Sequence, residues 1–370
     1  MPFPRALRRF FATEAASGAL LLGAAVLALA WANGPWGSSY DRVWATAVAV
    51  GPVDLRHWVD DVLMAVFFFV VGVEVKRELV EGELRDPRVA ALPVVAAVGG
   101  MVVPALLYLA VNAGHAGSRG WGVPMATDIA FATGVVALLG RRVSPGLRLF
   151  LLTLAVADDI GAIVVIAVFY AGAIDVVPLG LAALALLAVV GLRRLGVTSL
   201  PPYAALAVAT WVATFESGVH ATIAGVALGL LVPAASAERF ERRLHPLSAF
   251  VVVPAFALAN AGLHLRWGML DGPGATRVAL GVALGLVVGK AVGISLASWL
   301  AVRLGLGVLP DGATARHVVG IATVAGIGFT VALFVSGLAF DDAVLADAAV
   351  VGILGGSAVA ALAGVALLRR

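Results

Sequence analysis

The chain contains no cysteine, which excludes a disulfide framework and a thiolate metal site. Charge is scarce too. Asp, Glu, Lys and Arg make up 13% of the 370 residues, about half the share of an ordinary soluble domain. Lysine is nearly missing: Lys76 and Lys290 stand alone among 25 basic residues, the rest being arginine. No phosphate-cradling loop, zinc-ligand spacing or nucleophile motif occurs, so ATP coupling and hydrolytic chemistry are not expected, nor is any cofactor. The net charge of +3 sits in short arginine-bearing loops. That is a topological signal and not a nucleic-acid surface.

What fills the chain is apolar. Hydrophobic residues reach 62% and the mean hydropathy is +1.04. The runs are long and continuous, unlike the short alternating segments of a barrel, so the expected class is an all-α polytopic membrane protein. Twelve spans are read, at roughly 12–31, 59–80, 90–112, 121–139, 145–171, 178–195, 201–217, 220–232, 246–265, 277–304, 316–338 and 345–368. The basic stretch Met1–Arg9 precedes Ala16–Ala30 without a small-residue cleavage site, which predicts a first span and not a cleaved signal peptide. With the N-terminus inside, only Arg42, Arg56, Arg119, Arg266 and Arg277 fall outside among the loop cations. This bias predicts an even number of spans with both termini cytoplasmic.

The most informative span is LLTLAVADDIGAIVVIAVFY at Leu151–Tyr170, with Asp158 and Asp159 near its middle. A charge at that depth costs at least about 2.5–3.5 kcal/mol, so such residues mark ion or proton sites. Consecutive residues point about 100° apart on a helix, so the two carboxylates cannot share a face. One can meet an ion while the other meets a different partner. Lys290 lies near the centre of the tenth span. Arginine is the default cation of this chain, so a lysine there is a choice. Lysine can lose its proton when desolvated and arginine cannot. An ion pair with the acid pair, a proton carrier, or both are open to it.

Two spans look interrupted. In the fourth, Pro124 removes a donor just before Thr127 and Asp128. In the eleventh, Gly320, Gly326 and Gly328 precede Thr330. Paired broken helices point to an inverted-repeat transporter, with repeats at about 90–171 and 277–368. Asp128 would then neutralise exposed half-helix N-termini. Alternation around Gly51-Pro52 predicts an external β-hairpin over 43–57, whose edge could pair with a second copy. Asp60 and Asp61 lie at the outer end of the second span, while Glu74, Lys76, Arg77, Glu78, Glu81 and Glu83 crowd its inner end as a solvated helix end or a charged funnel. His220 and His245 are the histidines placed among polar clusters, and an unperturbed imidazole there would titrate near physiological pH.

These motifs resemble the NhaA family of bacterial sodium–proton antiporters over nearly the whole chain. The resemblance rests on DDVLMAVFFFVVGVEVKREL (60–79), PMATDIAFATGVVALLG (124–140), LAVADDIGAIVVIAVFY (154–170), SGVHATIAGV (217–226), LHPLSAFVVVPAFALANAG (244–262), GKAVGISL (289–296) and GIGFT (326–330). Inverted repeats with mid-membrane sites are general to such transporters, this family among them. The resemblance implies two broken helices crossing at 126–131 and 326–330, placement in the bacterial inner membrane, and a homodimer through the hairpin. It implies electrogenic, pH-regulated export of Na+ or Li+ against entering protons. By position it assigns Asp158 and Asp159 to the ion, Thr127 and Asp128 to the crossing, and Lys290 to Asp158. It assigns Glu74, Arg77, Glu78, Glu241 and His245 to pH sensing, and Asp61, His220, Gly326, Gly328 and Thr330 to structure or gating. Arg242 stands where a second histidine is expected, and Glu216 where a basic residue is. A sodium-coupled symporter of an organic anion is the alternative. It would need a further basic or aromatic pocket at mid-membrane, where Lys290 is the sole cation.

Overall fold

The computed structural model describes residues 5–48, 54–310 and 312–369. In chain order its helices are α1 (Arg5–Asn33), α2 (Gly37–Trp44), α3 (Leu55–Trp58), α4 (Met64–Val80), α5 (Pro87–Asn112), α6 (Ile129–Leu138), α7 (Pro145–Phe169), α8 (Val176–Arg194) and α9 (Leu200–Glu216). They continue as α10 (Thr222–Leu231), α11 (Ala234–Leu247), α12 (Val253–Asn260), α13 (Ala275–Leu284), α14 (Lys290–Arg303), α15 (Ala315–Val324), α16 (Phe329–Ala339) and α17 (Ala343–Arg369). Wider turns at Ser248–Val252 and Gly285–Gly289 join α11 to α12 and α13 to α14, giving continuous rods at Ser236–Asn260 and Ala275–Arg303.

Seven helices among the described residues are long and apolar enough to cross a bilayer, and two bent pairs raise that to nine. Three of the twelve expected spans are not among these nine. At 201–217 and 220–232 stand α9, with 17 residues, and α10, with 10. At 59–80 stand a wide turn, Val59–Leu63, and α4, whose last turns carry Glu74, Lys76, Arg77 and Glu78.

The described residues of the expected hairpin form no strand. Val43 and Trp44 end α2, and Leu55–Trp58 is helical. Between them the described residues hold one antiparallel bridge, Ala47 to Asp54, with the Leu55 amide donating to the Thr46 carbonyl at 2.9 Å. The proposed turn at Gly51-Pro52 lies outside the described residues. The reason α2 wins over a strand is visible in Tyr40 and Trp44. Both are buried and four residues apart, a helical repeat.

The chain forms two compact units. One comprises the residues up to Asp41, Asp86–Ala162, and those from Ala257 onward; the other comprises Arg42–Arg85 and Ile163–Phe256. In the second unit α10 lies against α4. Gly72, Gly225 and Gly229 let the two backbones approach so closely that a Cβ at Gly72 would lie 3.1 Å from the Val226 Cα. In the first unit α5 is seamed to α14 by the same device. A Cβ on Gly293 would land on the Gly99 carbonyl and 3.0 Å from the Val103 Cβ. Lipid gives helices no hydrophobic reason to associate, so such small-residue seams carry the packing. The seam matters because it holds Lys290, the first residue of α14. Overpacking a tight contact costs about 1–3 kcal/mol. Gly293→Val is expected to lower the thermal unfolding midpoint of the detergent-solubilised protein. Gly180→Val, at an open position on α8, is expected to leave it in place.

Candidate ion site

The site is built where the two bent pairs meet in the first unit. The fourth predicted span begins as a tight 3-10 helix, Ala116–Met125, leaves helical geometry at Ala126, and resumes at Ile129 with a bend of 47°. The eleventh breaks between Val324 and Phe329 with a bend of 51°. The two unwound stretches pair with each other: the Asp128 amide donates to the Ile327 carbonyl at 2.6 Å. The Thr127 hydroxyl donates to the Ala325 carbonyl at 2.8 Å. Glycine is required at this contact, since a Cβ on Gly328 would sit 3.0 Å from the Ala126 carbonyl oxygen, and one on Gly326 would strike that of Leu286. Unwound backbone at membrane depth is tolerated only when its polar groups find partners in this way.

Asp128 completes the crossing. Its Oδ1 accepts from the Phe131 amide at 2.9 Å. Its Oδ2 accepts from the Thr330 amide at 3.0 Å and the Thr330 hydroxyl at 2.6 Å. One carboxylate thus caps the first turns of both α6 and α16, whose amides point at it with the positive ends of their dipoles.

Beside the crossing lies the charged pair. Lys290 and Asp158 are both fully buried, with Nζ to Oδ2 at 2.6 Å. Lys290 Nζ also donates to Thr127 Oγ1 at 3.0 Å, which ties α14 and α7 to the unwound stretch. Asp158 Oδ1 is buried with no donor in full hydrogen-bonding geometry among the described residues, while the Thr127 amide and hydroxyl lie close enough to act on the carboxylate. Asp159 is 7% exposed. It follows Asp158 by one residue and so turns to another side of α7, close enough for its charge to act on Lys290. Charged groups at this depth are held by partners or by polar surroundings.

Several neighbours carry no signal of their own in the sequence. Gly100 on α5 faces Lys290, where a Cβ would lie 3.7 Å from the lysine Cδ. Met101 packs on Gly161, two residues beyond Asp159. Ser357 on α17 accepts from the Gly328 amide at 3.3 Å. Glycine pairs at 99–100 and 355–356 hint at close packing, but which helix approaches them is not a local property.

The remaining predicted residues lie in the second unit. Arg77 pairs with Glu241 at 3.0 Å and with Glu78 at 3.3 Å. Glu78 also accepts from the Glu83 amide at 3.1 Å. His245 is close enough to act electrostatically on Glu241. Glu74 is half-buried one turn before Glu78. Arg242 is exposed and reaches Glu238 at 4.0 Å, a surface pair of small worth. At the other end of the same unit, His220 Nε2 bonds the Tyr170 carbonyl at 2.7 Å. Its charge reaches Asp61, whose carbonyl accepts from the Trp211 indole at 3.2 Å.

The sequence matches the Na+/H+ antiporter 1 family over residues 8–368. The chain belongs to that family. Among its relatives, Na(+)/H(+) antiporter NhaA 3 of Frankia alni is 47% identical, covering 98% of this chain and 88% of its own. Na(+)/H(+) antiporter NhaA 2 of Novosphingobium aromaticivorans is 50% identical over 96% of this chain and 94% of its own. Na(+)/H(+) antiporter NhaA of Shewanella loihica is 46% identical over 97% and 96%. The family agrees with the resemblance read from the motifs, which run through both broken spans and the acid pair.

The crossing makes a stability prediction. Thr330→Val removes the hydroxyl that meets Asp128 and leaves a buried carboxylate oxygen with the amide alone. Loss of a hydrogen bond to a charged group is worth about 1.5–3 kcal/mol. Melting of the purified variant in detergent is expected to shift down, with Thr330→Ser restoring most of the loss.

Proposed function

We propose that this chain exports Na+ or Li+ in exchange for protons, both competing for Asp158 and Asp159. The observation that carries the reading is the fully buried Lys290–Asp158 pair beside two interrupted helices. An ammonium on a carboxylate at that depth is a cation site with its cation supplied internally. Membership of a family whose relatives are named antiporters supports the direction of the reading.

In the proposed cycle, Na+ arrives from the cytoplasm and takes carboxylate oxygens of Asp158 and Asp159, ligands that suit a hard cation. Lys290 then loses Asp158. Without its counter-charge in a dry site the ammonium gives up its proton, which arginine would not do. The loaded site turns to the outside and releases Na+. One proton from outside returns to Asp159 and one to Lys290, replacing the two given up to the cytoplasm, that of Asp159 as it took Na+ and that of the ammonium when Asp158 was lost. More positive charge enters as protons than leaves as Na+, so the exchange is electrogenic. The Glu74, Arg77, Glu78, Glu241 and His245 cluster sets the pH range in this reading, with Asp61 and His220 at the outer side. The chain works in the bacterial inner membrane with both termini cytoplasmic, as inverted repeats at about 90–171 and 277–368, and two copies meet through the 43–57 segment.

Two variants test the cycle. Asp159→Asn is expected to abolish exchange in everted vesicles, measured as collapse of a pH gradient on adding Na+, while the protein still folds. Activity near that of the wild type at saturating Na+ would remove Asp159 from the site. Lys290→Arg keeps the charge on Asp158 but holds its proton throughout. In proteoliposomes its Na+-driven exchange is expected to persist and to lose its response to an imposed membrane potential. Undiminished, potential-sensitive exchange would leave Lys290 as a counter-ion alone.

A further inference from the structure

Helix α14 presents two different faces. One is packed on α5 through Gly293 and Ile294 and on α15. On the other, Val288, Val292, Leu296, Trp299 and Leu300 are exposed, and no described helix covers them. Their spacing of three and four residues makes them a single stripe along the rod. At its end the Arg303 guanidinium lies over the Trp299 ring, 4.8 Å from the centroid. No carboxylate lies within ion-pair distance of Arg303 among the described residues. The chain turns away immediately afterwards: the Leu306 amide returns to the Ala301 carbonyl at 2.9 Å, and Gly305 adopts φ +70°. The arginine is therefore left at the tip of an apolar track.

We infer that this tip is a binding site for an anionic glycerophospholipid. The cation–π contact holds the guanidinium over the ring while its outward N–H groups stay free for phosphate oxygens. Trp299 is amphipathic and half-exposed, the residue type that lies at the boundary of headgroup and acyl chain, with an indole N–H that reaches ester or phosphate oxygens. The acyl chain follows Leu296, Val292 and Val288, one side chain per turn. The end of the α14 dipole and the buried seam on α5 hold Arg303 in place, so little is lost in ordering it. Net negative charge is selected because the site offers a cation and no acid. Arg303 is on the arginine-rich side of the chain, which meets the leaflet that carries anionic lipid.

The test uses the full chain in detergent, titrated with phosphatidylglycerol or phosphatidylethanolamine of identical acyl chains, with bound lipid resolved by native mass spectrometry. The wild type is expected to prefer phosphatidylglycerol. Arg303→Gln is expected to lose about fivefold of that preference, because it removes the one cation seated on the apolar track. Trp299→Leu is expected to weaken retention of both lipids, since it keeps the apolar track and removes the indole. Arg316→Gln, which removes an exposed arginine from the same side, is expected to change nothing. Equal retention of the two lipids by the wild type, unchanged preference in Arg303→Gln, or an equal loss in Arg316→Gln would each overturn the site.

Discussion

A helix broken inside hydrocarbon leaves amide and carbonyl groups that water cannot reach, and everything around the crossing follows from the need to satisfy them. Two breaks placed against each other solve much of it, as the Asp128 amide and the Ile327 carbonyl do. The half-helix starts remain, and they are alike in sign. A single carboxylate between them takes donors from Phe131 and Thr330 at once. That leaves both oxygens of Asp128 committed to donors at the crossing. Asp158, by contrast, keeps an oxygen that no donor meets in full hydrogen-bonding geometry among the described residues. The two acids sit in one unit, yet one is occupied by backbone amides and a hydroxyl and the other by an ammonium.

The ion pair depends on helix geometry at a distance. Lys290 opens α14 just after a wide turn, and the glycines around it let α14 meet α5 at backbone contact. A bulkier seam would draw Nζ away from Asp158. A buried pair is weak as a source of stability, since desolvation offsets much of its attraction, but its rupture is strongly opposed unless another charge takes over. Such a bond suits a site whose occupant is exchanged.

Much of this was legible in the sequence because charge is so rare there. Asp158, Asp159 and Lys290 stand out against apolar runs, and Pro124 before Thr127–Asp128 marks a break. Their partners were not legible. Asp128 and Thr330 are 202 residues apart, and nothing local says that they meet. Length was the second difficulty. The α10 run is apolar enough to read as a span, but it occupies 10 residues. The external segment misled for a third reason. The two-residue alternation starts where the Tyr40–Trp44 helical repeat ends, and α2, with both rings buried, takes Val43 and Trp44. Arg303 over Trp299 passed unremarked because an arginine at a helix end is already explained by topology.

Thr127 has one hydroxyl hydrogen, and the Ala325 carbonyl holds it. Toward Lys290 the oxygen can therefore present only lone pairs. The ammonium is cradled by a hydroxyl oxygen and a carboxylate oxygen, both acting as electron-pair donors. A bare metal ion asks for the same thing. In the exchange proposed above, an ion on Asp158 that also meets Thr127 needs no hydroxyl to rotate and no carbonyl to be abandoned. The backbone crossing can stay closed while its guest changes.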